Sequence, residues 1–197
     1  CEASRGLGDV YKRQDLQNAI ASLPDSQSQV GRVNKYTAYA LLGKVLLYQD
    51  KFAEAASALD NVIGVYSLVS DYGSQFLRFG ENGPESVFEI QYSNQSNWYD
   101  WGCAHCSEGN YAIIMNGPRG WSGPEYAQGW SFNVPTAEFY NSFEEGDTRR
   151  DATVLDIEAF AAATGANYTE GYDHTGYFNN KYIPRAGESG GQTELNY

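Results

Sequence analysis

The feature that most constrains the fold lies between residues 33 and 65. Apolar residues recur at Tyr36, Tyr39, Ala40, Leu42, Gly43, Leu46 and Leu47, the three-and-four spacing of a helix with one buried stripe. Asn34 precedes the run as an N-cap, and Gln49, Asp50 and Lys51 form a short polar turn after it. A second helix is predicted over 52–65, with Ala55, Ala56, Leu59, Val62 and Ile63 on one face. Two such helices joined by so short a turn must lie antiparallel, and the small Gly43 and Ala55 permit close approach.

The order Tyr39, Leu42, Gly43, Leu46, then Ala55 and Leu59 resembles the large, Leu, Gly, large, Ala, large signature of a tetratricopeptide repeat. One complete copy is visible, and one repeat cannot bury both of its faces, so further helices are expected to pack on it. Residues 15–23 read as the tail of one. Residues 1–14, CEASRGLGDVYKRQ, lack helical or strand periodicity and resemble translated adapter sequence, so they are set aside as a non-native scar. The rival reading makes Cys1 the lipidated first residue of a mature lipoprotein.

After Tyr66 the helical period is lost. SVFEIQY, residues 86–92, alternates Val87, Glu89 and Gln91 against Phe88, Ile90 and Tyr92, and predicts a short strand. A connection spanning 93–133 follows, far longer than a simple loop and holding all four Trp, which argues for function rather than disorder. Pro135 and Thr136 start a short helix with Phe139, Tyr140 and Phe143 on its inner side, ended near Gly146. A charged turn occupies 147–151, residues 159–165 read as a surface helix end or loop, and 176–184 as an extended segment. The parts are therefore a helical-repeat region at 15–66, a strand and aromatic-rich loop region at 67–134, and a structural motif with extended segments at 135–197. The chain stops at ELNY with no terminating feature, which reads as truncation.

Charge narrows the function classes. Lys and Arg total 13 against 25 Asp and Glu, a formal net charge of -12, with no basic cluster to hold a phosphate backbone, so nucleic acid is excluded as a partner. No run of about 18 apolar residues exists to span a bilayer. The excess lies instead in 16 Tyr, 9 Phe, 4 Trp and 21 Gly, more rings than one core absorbs. Tyr and Trp combine an apolar face with a polar edge, which suits surfaces that bind sugars or proteins.

Glycan recognition needs flat apolar faces for the C–H faces of sugars and hydrogen-bonding groups around them. SNQSNWYDWG supplies both: Trp98, Tyr99 and Trp101 offer stacking faces, and Asn94, Gln95, Asn97 and Asp100 offer donors and acceptors. Trp121, with Gly120 and Gly123 nearby, and Trp130 are further candidates, the glycines permitting an exposed ring. The competing reading packs these Trp against the scaffold. Cys103 and Cys106 form a lone CxxC without a second pair, read as a local disulfide or as two free thiols rather than as a zinc site. No metal and no cofactor are expected. GxSxG, GxxxxGK[ST] and HExxH are absent, and Glu144, Glu145 and Asp147 lie beside Arg149 and Arg150, where a surface ion-pair network is expected rather than an acid and base pair. The chain is read as a non-enzyme.

Taken in order, the hairpin, SVFEIQYS, WSFNVPTAEFYNSFEEGDTRRDATVL, GYFNNKYIPR and the final ELNY resemble the middle of the SusD/RagB family, the outer-membrane lipoproteins of Bacteroidetes that capture glycans. The most specific part is the series Pro135, Thr136, Phe143, Asp147, Arg149, Arg150, followed by Lys181 and Tyr182. The resemblance implies a mainly α fold, a tetratricopeptide-like superhelix with long irregular loops and a few short strands. It also implies lipid-anchored attachment on the outer face of the outer membrane. A TonB-dependent transporter barrel, SusC-like, is the implied partner, importing the captured oligosaccharide. The series from Pro135 to Arg150 is implied to be structural. Two other functions stay open beside glycan capture: a helical scaffold whose ligand is another protein, and a glycoside hydrolase.

Overall fold

Asn34 starts the best-defined helix through a reciprocal cap. Its side-chain oxygen accepts from the Thr37 N–H at 2.9 Å, and the Thr37 hydroxyl accepts from the Asn34 N–H at 3.5 Å. The helix α2, Lys35–Leu47, follows with Ala38, Leu42, Gly43 and Leu46 buried. The computed structural model describes residues 2–93, 108–171 and 173–187, with side chains from residue 10 onward. Helices α1 (Glu2–Ser22) and α3 (Phe52–Leu59) flank α2. Leu16 and Ile20 of α1 pack on a core of Leu42, Leu46, Ala55 and Ala58.

The predicted close approach is present at one position. A Cβ on Gly43 would sit 2.5 Å from Leu59 Cγ, so the glycine is what lets α3 lie against α2. Other expectations need correction. Helix α3 ends at Leu59 rather than near Val65, because the Asn61 side chain donates to the carbonyls of Ser57 (2.9 Å) and Ala58 (3.3 Å), and Gly64 then turns the chain at φ +84. Ile63, read as facing the core, is 76% exposed, and Leu47 and Ala56 are exposed as well. Residues 2–14, read as having no periodicity, lie within α1, which runs on to the predicted tail. Helix continuation needs only backbone bonds, and Val10 and Tyr11 project into solvent.

Two compact units divide the chain. The first comprises residues 1–69 and 82–89. Its second segment is tied on by Thr37 Oγ1 donating to Val87 O (3.1 Å), Ser67 N–H to Pro84 O (3.0 Å) and Val69 N–H to a Glu85 carboxylate oxygen (3.0 Å). The predicted strand over 86–92 is irregular, since no ladder partner lies beside it among the described residues. An alternating pattern forms a strand only where another strand pairs with it.

The second unit comprises residues 70–81 and 90–197. Strands β1 (Val154–Asp156) and β2 (Tyr177–Asn179) pair antiparallel, with Leu155 opposite Phe178. Around them Tyr126, Leu155, Ile157, Phe178 and Ile183 form the core, with Trp121, Val134, Phe160 and Tyr168 against it. Asp156 caps helix α7, Ile157–Thr164, by accepting from the Ala159 N–H at 2.9 Å, and Gly165 ends it at φ +73. The long 93–133 connection contains a short helix α4, Tyr111–Asn116, capped by Asn110. Thr136 caps α5, Ala137–Asn141, as expected, but α5 is too short to bury its aromatic side: Phe139 is 46% exposed and meets Phe143 edge to face at 5.3 Å. Helix α6, Arg149–Thr153, leads directly into β1. No helix of the described residues is long and apolar enough to cross a membrane.

Candidate functional site

Asn97, Trp98, Tyr99, Asp100, Trp101, Cys103 and Cys106, with Asn94 and Gln95, lie outside the described residues. Of the rings singled out in the sequence, the structure places Trp121 and Trp130. Trp121 is half-buried in an aromatic cluster, edge-on to Tyr126 at 5.9 Å and tilted against Phe160 at 5.9 Å, while Tyr126 and Phe160 meet at 5.1 Å. Its indole N–H is enclosed without a hydrogen-bond partner. Trp121 is therefore held rigidly by the scaffold, leaving part of its surface uncovered.

The neighbouring glycines serve a different purpose from the one expected. Gly120 adopts φ +59, and a Cβ there would lie 2.4 Å from Thr169 Oγ1; a Cβ on Gly123 would lie 2.5 Å from that of Ala166. They admit the 166–169 segment, which pairs with the 119–122 segment through Ser122 and Asn167, each N–H bonding the other's carbonyl at 2.8 Å. Close approach, rather than ring exposure, is what requires glycine here.

Beside Trp121, Tyr126 is 4% exposed, and burial pushes its hydroxyl up to about 12, the Glu125 charge adding to the effect and Arg185 opposing it. The Arg185 guanidinium carbon lies 5.3 Å from the Tyr126 ring centre, and Arg185 Nη1 donates to the Glu125 carboxylate at 3.4 Å. His174 packs nearby, its Nε2 3.2 Å from the Tyr168 hydroxyl and 3.8 Å from Glu158. Among the described residues no three His, Cys, Asp or Glu side chains converge as a metal site.

On the chain segment that follows Tyr126, a second aromatic group is displayed. Gly129 and Gly117 cross backbone on backbone, and Gly129 N–H donates to Pro118 O, Ser131 N–H to Gly117 O, Trp130 N–H to Ile114 O and Phe132 N–H to Met115 O, at 2.8 to 2.9 Å. Phe132 is 53% exposed on this ledge, with Trp130 edge-on at 6.5 Å. Ser131 and Asn133 on either side adopt φ of 58 and 53, a left-handed conformation costing about 1–2 kcal/mol each outside glycine. Arg119 lies alongside. Its Nε donates to Trp130 O at 2.9 Å, its backbone N–H donates to Ser131 Oγ at 3.0 Å, and its guanidinium carbon is 5.9 Å from the Phe132 ring centre. Sequence reasoning passed over Phe132 and Arg119, because an exposed ring beside a structural motif has no sequence signature.

The charged series after Pro135 makes internal contacts. Asp147 accepts from Arg149 Nε (2.9 Å), Nη2 (2.6 Å) and backbone N–H (2.9 Å), bonds that hold its carboxyl down at about 2. Arg150 covers one ring of a stacked pair, Tyr140 and Tyr177, whose centres are 4.5 Å apart. Lys181 sits 5.0 Å from Tyr72 and 4.7 Å from Phe76, and Tyr182 meets Phe76 at 6.5 Å.

This arrangement matches known structures over most of its length. A laminarin-binding SusD-like protein superposes with a TM-score of 0.82 and 39% sequence identity, covering 94% of this chain and 44% of that one. The chain is similar to SusD-like proteins in both sequence and fold. A second SusD-like match is surface glycan-binding protein A from Bacteroides thetaiotaomicron, solved in complex with laminarihexaose. It has a TM-score of 0.81 and 28% identity, covering 93% of this chain and 44% of that one. SusD-like protein P2 of Formosa agariphila is 29% identical over 198 residues, 93% of this chain and 38% of that protein. No family model matches the chain. The chain thus spans well under half the length of these SusD-like relatives, and its mainly helical architecture is theirs.

Proposed function

We propose that this chain serves non-catalytic capture of a neutral glucan of the laminarin class at a bacterial cell surface. The observation that carries the reading is the 39% identity, sustained over 94% of the chain, to a laminarin-binding SusD-like protein. Charge agrees with it: a chain of net charge -12 repels polyanionic glycans and leaves neutral ones unaffected. Trp98, Tyr99 and Trp101 supply stacking faces and Asn97 and Asp100 the hydroxyl contacts, with Trp121 a further ring held in place by Tyr126 and Phe160. Non-catalytic binding is favoured over hydrolysis because Asp147, the most strongly shifted carboxylate among the described residues, is taken up by Arg149 rather than poised as an acid or base. In this proposal the protein is lipid-anchored on the outer face of the outer membrane and hands its oligosaccharide to a SusC-like TonB-dependent transporter.

Affinity electrophoresis of the full-length protein in laminarin, with chromatography of the recovered glucan, tests the reading. Retardation with unchanged glucan length is expected, and Trp98→Ala with Trp101→Ala should abolish the retardation. Shortened products, or wild-type migration unaffected by laminarin, would overturn it.

A further inference from the structure

We infer that Phe132 and Arg119 form an accessory contact for one neutral pyranose ring of the captured glucan. The inference rests on the glycan-capture reading above and adds a contact to it.

Phe132 is 53% exposed, yet it does not sit at the tip of a free loop. Its own N–H and those of Trp130 and Ser131 are each bonded to backbone carbonyls of residues 114–117. The described residues thus leave a large apolar ring half uncovered, against the usual direction of the hydrophobic effect, with two non-glycine residues beside it in the left-handed region. Backbone strain of this kind persists where the surrounding structure imposes it, and it clusters at ligand clamps. Rigidity is what a stacking surface requires, since a ring already held in place loses little freedom when a sugar covers it.

Arg119 supplies the polar half. Its Nε is anchored on Trp130 O, which fixes the guanidinium plane beside the Phe132 ring, while its terminal N–H groups have no hydrogen-bond partner among the described residues. Adjacent donors on a planar fork match the vicinal hydroxyls of a pyranose whose C–H face lies on the neighbouring ring. A protein partner is disfavoured by size, because one ring and one guanidinium fall far short of the roughly 800 Å² per side that a stable interface buries. A polyanion is disfavoured by the net charge of -12.

Isothermal titration of the full-length protein with laminarin and with laminarihexaose tests the contact, using Phe132→Ala and Phe132→Trp. Phe132→Ala is expected to weaken laminarin binding about three- to tenfold, the worth of one stacked ring, and Phe132→Trp to restore it. Both variants should melt with the wild type, since the ring buries little. Laminarin affinity unchanged in Phe132→Ala, or lost equally in Phe132→Trp, would overturn the accessory contact while leaving glycan capture intact. Failure of the wild type to bind laminarin or laminarihexaose would overturn both. Tighter binding of dextran sulfate than of laminarin, abolished by Arg119→Gln, would refute the assignment to a neutral sugar.

Discussion

Replacing Gly129 with alanine isolates the steric basis of the ledge that carries Trp130 and Phe132. The Gly129 backbone is not in the left-handed region, so alanine meets no conformational penalty of its own. It meets Gly117 instead: the added Cβ would lie 2.3 Å from Gly117 Cα and 2.6 Å from both its carbonyl carbon and its nitrogen. Carbon atoms in contact prefer about 3.5–4.0 Å, so the two backbones must part by more than about 1 Å. No side-chain rotation relieves a clash with main chain. Parting stretches the bonds from Gly129 N–H to Pro118 O and from Ser131 N–H to Gly117 O, both 2.8 Å, where Gly117 and Pro118 are buried. Overpacking costs about 1–3 kcal/mol, and each buried group left without a partner about 1–3 kcal/mol more. The restriction that alanine places on the unfolded chain returns about 0.4–1 kcal/mol. The net expectation is a loss of roughly 3 kcal/mol, to be read from urea unfolding followed by tryptophan fluorescence. Gly146→Ala is the control: it has φ +84 and nothing within 4 Å, so it should cost only the backbone term of about 1–2 kcal/mol. If Gly129→Ala costs no more than that control, the crossing yields easily and the steric reasoning is wrong.

Two further expectations concern stability. The Asp147 carboxyl is held at about 2, below its ordinary value of 3.8, so its contribution should be complete above about pH 4 and fade as pH falls through about 2; Asp147→Asn should flatten that part of the urea midpoint against pH. Asn34→Ala removes one half of the reciprocal cap on α2 and should lower stability by about 1 kcal/mol in thermal melts followed by circular dichroism, and no change would show that the cap is redundant.

Legibility in the sequence followed the range of the interactions involved. The Asn34 cap and the close approach at Gly43 were both readable, the first from a three-residue spacing and the second from a small residue within the repeat-like order of the hairpin. The end of α3 was misplaced by the apolar residues Val62 and Ile63, which continue the pattern while Asn61 closes the helix from its side chain. Alternation over 86–92 promised a strand, but a ladder also needs a partner that local pattern does not supply. At the candidate site, composition pointed to aromatic recognition and named Trp121, whereas the display of Phe132 depends on hydrogen bonds to the 114–117 segment.

The sequence by itself determined the hairpin, its cap and the family resemblance, since periodicity and spacing are properties of the chain before it folds. Only tertiary structure decided which glycines turn the chain and which admit another backbone, and which rings pack and which face water. Gly120, Gly123 and Gly129 look alike in sequence, yet what requires them is Thr169, Ala166 and Gly117 lying within van der Waals distance. Trp121 and Phe132 are likewise both aromatic residues in one glycine-rich stretch. The cluster with Tyr126 and Phe160 half-buries the first, and a bonded backbone ledge leaves the second exposed.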